Sequence, residues 1–367
     1  MSKAKWTRPC VEQLKPYLPG KPIEEVQREY GLTDIIKLAS NENPLGPSPK
    51  AVEAIRAEAA EVRLYPDNDC YHLRKALAAH LGVPREQVMV GHGSDELIHN
   101  IGLAFVEPGD EVMMCEGPFS QWEFTAKLME GAPVYVPLKD FRYDVGAMAA
   151  RLSAKTKLVF VGNPSNPTGA MVTRGELETL LAALPETTIL VMDEAYYEYV
   201  DDAEYPDSLA LVREGRPVMV LRTFSKIYAL AGLRIGYGAT TPELAEAMGR
   251  VREPFNVSSV AQAAALASLG DGEQVERTRA LNAESREYLY GEMERLGLSY
   301  TRSYANFVWI DVGRDCKEVF VGLLRRGVIV RTGDMFGAPR HIRVTTGTPE
   351  QNQRFVGALE EVLAEAG

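Results

Sequence analysis

Cysteine is scarce in this chain of 367 residues: Cys10, Cys70, Cys115 and Cys316 are its only four, and they are scattered singly. They are too few and too dispersed for a disulfide framework and form no C-x-x-C pair, so free thiols are expected. The five histidines show no H-E-x-x-H or similar ligand spacing, which leaves a metal hydrolase unsupported and no metal expected. Positive charge is in deficit, with 40 Lys plus Arg against 51 Asp plus Glu and a formal net charge of -11. Such a balance lacks the basic surface that neutralises phosphates, so nucleic acid is not an expected partner. No apolar run approaches the roughly 20 residues of a membrane span. The opening run Met1-Ser2-Lys3-Ala4-Lys5-Trp6 is polar where a signal peptide carries its apolar segment. A cytoplasmic protein with no membrane partner is therefore expected. Internal repeats and low-complexity tracts are also missing.

What is present is an ordinary globular composition, 46% hydrophobic and 25% charged, at a length that suggests two domains at about 150 residues each. The first 30 or so residues carry Pro9, Pro16, Pro19 and Pro22 without a sustained period, which predicts an extended arm lying over another part of the protein. From about Lys37, β-rich runs over 87–90, 111–115, 134–137, 157–161, 188–192, 218–221 and 235–239 alternate with helical stretches. That rhythm predicts an α/β domain with a mostly parallel mixed sheet flanked by helices. Thr173 and Glu176 have the spacing of a capping box, followed by Leu177, Leu180, Leu181 and Leu184 on one helical face. A second helix starts at Ser94, with Asp95 and Glu96 in its first turn. After about Arg250 the rhythm changes: a helical region over 258–296 broken at 270–272, strands near 307–311, 328–331 and 342–344, and a last helix announced by Thr348, Pro349 and Gln351. The expected organisation is an arm over 1–36 joining the small domain, a large domain over 37–250, and a smaller α+β domain over 251–367.

Three polar groups then stand out by position. Asp193 follows the run 188–192; Lys226 follows the run 218–221 in Thr223-Phe224-Ser225-Lys226; Asn166 lies in the Gly- and Pro-rich loop Gly162-Asn163-Pro164-Ser165-Asn166-Pro167-Thr168-Gly169. Each alone is a weak signal. At the carboxyl ends of parallel strands, however, they point into one crevice, where open α/β sheets bind ligands. Gly93 and Ser94, opening a helix after the run 87–90, offer backbone N–H groups and the positive end of the helix dipole to an anion, with Asp95 beside them.

The strings Asn163-Pro164-Ser165-Asn166-Pro167-Thr168-Gly169, Asp193-Glu194-Ala195-Tyr196, Ser225-Lys226 and Gly232-Leu233-Arg234-Ile235-Gly236-Tyr237 occur in the order found in fold-type I aminotransferases of class I/II, which depend on pyridoxal 5'-phosphate (PLP). The chain resembles that family over nearly its whole length. The resemblance implies that Lys226 forms the Schiff base with the cofactor, a role for a primary amine able to lose its proton. It implies that Asp193 holds the pyridine nitrogen protonated, and that Tyr196 and Asn166 bond the phenolic oxygen. Gly93, Ser94, Asp95, Ser225 and Arg234 would surround the cofactor phosphate, Phe119 would stack on the ring, and Tyr65 matches a tyrosine that reaches the phosphate from a second subunit. A homodimer with shared active sites is the matching expectation.

Within the class, Lys15-Pro16-Tyr17-Leu18-Pro19-Gly20, Leu38-Ala39-Ser40-Asn41-Glu42-Asn43-Pro44-Leu45-Gly46-Pro47 and Ala229-Leu230-Ala231-Gly232-Leu233-Arg234 resemble the histidinol-phosphate aminotransferase family. That resemblance implies transfer of an amino group from L-histidinol phosphate to 2-oxoglutarate. Arg331 and Arg343 match the arginine pair that binds the phosphate of the donor or a carboxylate of glutamate, and Tyr17 would add a hydroxyl from the arm. Aromatic amino acids remain as alternative donors, and a PLP-dependent threonine-phosphate decarboxylase shares the scaffold. A PLP-sensing regulator lacks its DNA-binding segment here, and a dinucleotide-binding oxidoreductase lacks its G-x-G-x-x-G.

Overall fold

The structure, a computed structural model, describes residues 6–16 and 20–365. Its centre is a seven-stranded sheet whose strands are β1 (Val88–Gly91), β2 (Glu111–Cys115), β3 (Ala132–Val136), β4 (Thr156–Gly162), β5 (Ile189–Asp193), β6 (Val218–Thr223) and β7 (Gly236–Ala239), in the order β1-β7-β6-β5-β4-β2-β3. The pairs β2–β3, β2–β4, β4–β5 and β5–β6 are parallel; β7 alone runs against its neighbours β1 and β6. β5 and β6 are buried along their whole length, because helices cover both faces of the sheet. Their sequences accordingly read as unbroken apolar runs rather than alternating ones.

Register decides where chemistry gathers. Gly162 is the partner of Asp193, and Asp193 is the partner of Leu221, so β4, β5 and β6 end nearly level. β1 is antiparallel to β7 and so shares their direction, which brings the helix after it, Gly93–Phe105, to the same edge. Behind that edge, Glu194 is fully buried and accepts from Nε and Nη2 of Arg222 at 3.0 and 2.8 Å, tying β5 to β6. Removing one partner of such a buried pair costs about 3–5 kcal/mol.

The second sheet comprises β8 (Ser299–Thr301), β9 (Phe307–Asp311), β10 (Arg331–Thr332) and β11 (His341–Thr345), all antiparallel in the order β8-β9-β11-β10. The expected strand over 328–331 is divided: Val328–Ile329 pairs in parallel with Ile36–Lys37, and only from Arg331 does the chain join the sheet. The capping box at Thr173 and Glu176 forms, with Leu177, Leu180 and Leu181 buried below it. The last helix, Pro349–Glu365, is capped the same way by Thr348 and Gln351.

One expectation needs correction. The arm is not extended throughout: Ile23–Tyr30 is an α-helix, started after Pro22 and closed by Gly31, whose φ of 69° is the left-handed stop that glycine accepts readily. It escaped notice because eight residues show one full face at most; Val26 alone is buried, against Leu324 and Ile329. Packing also crosses position 250. Ala261, Ala264 and Ala265 on the helix Ser259–Leu269 pack into the core under the large sheet, while Leu38 packs with the small sheet. Small residues let that helix lie close to Pro49–Glu58, a partner that a change of rhythm along the sequence does not reveal. Among the described residues no helix is long and apolar enough to cross a membrane, and no group of three or more His, Cys, Asp or Glu is arranged to hold a metal. All four cysteines are free and buried.

Candidate active site

A cavity of about 650 Å³ opens at the carboxyl edge of the large sheet. Ser94, Asp95, Phe119, Asn166, Asp193, Tyr196, Ser225, Lys226, Arg234, Arg331 and Arg343 all line it, and Gly93 adjoins it. Residues of the two sheets and of the arm (Gln13 to Pro16 and Gly20) thus line one cavity.

At one end the chain builds an anion cradle. Gly93 opens its helix at φ 77°, and a β-carbon there would stand 2.6 Å from Nη2 of Arg234. One at Gly236 would stand 2.4 Å from the Ser94 nitrogen. The two glycines therefore let the helix N-terminus and the guanidinium share one corner. Arg234 is held there by Oδ2 of Asp95 at 3.0 Å. The hydroxyl of Thr223 accepts from the Ser225 N–H at 3.0 Å and lies 2.9 Å from the Ser225 hydroxyl, fixing the turn between β6 and Lys226.

Asp193 lies on the floor, 7% exposed. Burial raises its carboxyl to about 7, against the pull of the Ala195 N–H. Lys226 donates to the carbonyl of Ser40 at 3.0 Å. Burial first, and then the positive charge of Arg343, lower its ammonium to about 8. Both shifts have one physical source, a water-poor cavity that penalises charge, and both bring a proton within easy reach of neutral pH.

The small sheet supplies the opposite wall. Arg331 and Arg343 are Cα partners across β10 and β11, 9% and 6% exposed. Arg343 donates through Nη2 to the Ala39 carbonyl at 2.7 Å and through Nη1 to Oδ1 of Asn166. Phe119 caps the helix Ser120–Leu128 and is half-buried, edge-on to Trp122 at 6.4 Å.

Two expected residues stand apart. Tyr65 is 83% exposed, outside the cavity, and stacks on Phe255 with ring centres 4.8 Å apart. Tyr17 lies outside the described residues. The sequence reading also passed over three consecutive residues. Ala39 accepts from Arg343, Ser40 accepts from Lys226, and Asn41 donates through Nδ2 to the Tyr196 hydroxyl at 2.8 Å. In the sequence they stand out only within the string Leu38 to Pro47, because their partners lie 155 to 304 residues further on, beyond any local pattern. Met335 and Phe336 were missed as well and line the cavity beside the arginines.

The donor set fits PLP: a helix N-terminus with Ser and Arg for a phosphate, a buried carboxylate for a protonated ring nitrogen, amide and phenol groups for a phenolate, and a primary amine for an aldehyde. The close approach of Gly93 to Arg234 leaves the cradle clear of side chains on the helix side, as a phosphate requires.

Comparison with known proteins agrees. The family model for aminotransferase class I and II matches residues 33–359. A histidinol-phosphate aminotransferase of Moorella thermoacetica is 51% identical over 97% of this chain and 93% of its own length. One from Caldicellulosiruptor saccharolyticus is 45% identical, covering 97% and 99%. Among solved structures, a histidinol-phosphate aminotransferase of Sinorhizobium meliloti in complex with PLP superposes with a TM-score of 0.91 at 31% identity, over all of both chains. An aspartate aminotransferase of Thermus thermophilus with maleate superposes at 0.83 and 26% identity, covering 98% and 99%.

Proposed function

The chain belongs to the class I and II aminotransferases and is a PLP-dependent transaminase, and we propose that it moves the amino group of L-histidinol phosphate to 2-oxoglutarate, giving imidazole-acetol phosphate and L-glutamate in histidine biosynthesis. The observation that carries this reading is the juxtaposition of two buried, cross-strand arginines with Lys226 around a single cavity. Two guanidinium groups placed opposite each other repel. An anion between them relieves the repulsion, and a phosphate accepts both forks. The names of the relatives from Moorella thermoacetica and Caldicellulosiruptor saccharolyticus point to the same donor.

When bound, PLP supplies the electron sink that lets a proton leave the substrate carbon carrying the amine. The rest is work for this chain. The N–H groups of Gly93 and Ser94, with Ser225 and Arg234, hold the phosphate; Asp95 keeps Arg234 in place. Asp193 would accept from the ring N–H, and that cation would in turn favour its ionised form, opposing the effect of burial. Asn166 and Tyr196 would bond the phenolic oxygen, and Phe119 would cover the ring face. Lys226, poised near neutrality, gives up its proton easily and carries a proton between positions on the reacting group. Arg343 and Arg331 hold the anion of each substrate in turn, with Tyr17 adding a hydroxyl from the arm. We further propose a cytoplasmic homodimer in which Tyr65 serves the neighbouring site. The free, buried cysteines suit a reducing compartment, and the exposure of Tyr65 suits a contact between subunits.

A panel of amino donors with 2-oxoglutarate as acceptor tests the reading. Histidinol phosphate should give the highest kcat/KM, above histidinol, aspartate, phenylalanine and tyrosine. A higher value for the aromatic amino acids would transfer the assignment to an aromatic aminotransferase.

A further inference from the structure

Around Asn41 the hydrogen bonds have a direction that can be worked out. Its backbone N–H donates to the Thr345 hydroxyl at 2.9 Å, and that hydroxyl stands 3.1 Å from Oδ1 of the same residue. A hydroxyl has one proton. Since Thr345 accepts on one side, it gives its proton to Oδ1 on the other, and the carboxamide oxygen is thereby committed. The NH2 end of Asn41 must then face Tyr196, where Nδ2 lies 2.8 Å from the phenol oxygen. The reversed amide would present the Thr345 hydroxyl with a second donor and take away the Oδ1 acceptor of its own proton, within a buried site.

The rest of the surroundings hold this arrangement still. Asn41 is 1% exposed, and its carbonyl accepts from Nδ2 of Asn306 at 3.0 Å. Its φ of 56° is a left-handed conformation that Asn tolerates better than most residues. The Tyr196 ring packs edge-on against Phe307 with centres 5.2 Å apart. Because the phenol oxygen receives the amide proton of Asn41, its own proton is directed away from Asn41.

We propose that Asn41, polarised by Thr345, is a positioning residue that makes Tyr196 a hydrogen-bond donor toward the phenolic oxygen of the bound cofactor. The inference rests on the reading of Tyr196 as a cofactor contact. It also links two walls of the cavity, since Thr345 lies two residues beyond Arg343 on β11.

A donor at the phenolic oxygen favours the form with negative charge there, so it keeps the pH midpoint of the visible absorbance change of the PLP-loaded enzyme low. Charged and titratable groups near the phenol include, among the described residues, Lys226, with Nζ 5.9 Å from the ring centre, Tyr199 buried beside it, and Arg343 beyond Phe307, with Glu42 acting on Lys226. Neutral substitutions at Asn41 leave these groups in place.

The experiment is a spectrophotometric pH titration, without substrate, of PLP-loaded wild type, Tyr196→Phe, Asn41→Gly and the double variant. Glycine keeps the positive φ and removes only the carboxamide. Tyr196→Phe should raise the midpoint by about one to two pH units, the scale of one hydrogen bond to a charged group. Asn41→Gly should give at least half of that rise, and the double variant should match Tyr196→Phe alone. Thr345→Val, which removes a hydroxyl at nearly constant shape, should shift the midpoint the same way by less; it carries the test should Asn41→Gly fail to load PLP. A midpoint that moves in Tyr196→Phe but stays at the wild-type value in Asn41→Gly or, in its place, Thr345→Val overturns the inference alone. So does an Asn41 effect that persists in the absence of the phenol. No movement in Tyr196→Phe overturns both the cofactor contact of Tyr196 and the role built on it.

Discussion

Arg331 and Arg343 are direct cross-strand partners, and both are more than nine-tenths buried. Antiparallel pairing puts their side chains on one face of the small sheet, where two positive charges cost energy in the absence of an anion. Arg343 is held in position by its Nη2 bonded to Ala39 and its Nη1 bonded to Asn166.

Arg343→Lys should accordingly raise KM for both histidinol phosphate and glutamate, lowering kcat/KM by about 10- to 100-fold as the bidentate fork is lost. The visible spectrum of the PLP-loaded enzyme should not change. Arg331→Ala should act in the same direction with a smaller effect. Steady-state kinetics with both substrates decide the matter; a change in kcat with KM untouched would remove these arginines from substrate binding.

Borohydride reduction of the PLP-loaded protein, followed by peptide mapping, should place the label on Lys226 and on no other lysine. Without cofactor, the same residue gives a second signature. An amine lowered to about 8 from its ordinary 10.5 is a burden on the fold below pH 8. Between pH 8 and 10.5 the unfolded chain holds the extra proton, so the burden is full below pH 8 and stability rises with pH across that range. Lys226→Met should therefore be the more stable cofactor-free protein at pH 7, with the gap in Tm to wild type closing toward pH 10.

Asp193 predicts the opposite slope. Its carboxyl is raised from 3.8 to about 7, so the folded state holds the extra proton between those values and cofactor-free wild type loses stability as pH rises through them. Asp193→Asn removes that slope, and its Tm advantage should grow from pH 4 to pH 7 and then level off. The loaded variant should retain PLP through Lys226 and the phosphate cradle, yet turn over about 10²–10³-fold more slowly. Near-normal turnover would leave the residue a structural role only.

Tyr65 provides a test of the shared site. Lys226→Ala chains mixed with chains carrying a crippling Tyr65 substitution should, after subunit exchange, regain activity above the sum of the parents. Each hybrid then has one site with Lys226 from one chain and Tyr65 from the other. Unchanged activity on mixing, with the Tyr65 variant first shown to be inactive alone, would place Tyr65 at its own subunit's site or at none.

Much of this protein is written locally. The apolar runs ending in Asp193 and leading to Lys226 announce buried parallel strands, since a strand covered on both faces needs no polar alternation. The capping boxes at Thr173 and Thr348 fix two helix starts through bonds that span three residues. The helix Ile23–Tyr30 was harder to see because a short helix leaves too few turns for a period to show. That Lys226 and Asp193 share a crevice follows from strand direction, which the alternating β/α rhythm already implies.

Tertiary structure decided the remainder. The level endings of β4, β5 and β6 depend on register, which is set by hydrogen bonds between strands rather than by the order of residues within one. The segment 39–41 gained its importance only when folding brought Arg343, Lys226 and Tyr196 onto three successive residues. The shifts that bring Lys226 and Asp193 close to neutrality arise from burial, a property of the closed cavity that neither residue type has on its own. Sequence chose the reactive groups, because amine, carboxylate and guanidinium are fixed by residue type. Their distances and proton affinities were left to packing, because both depend on which distant surfaces exclude water from them.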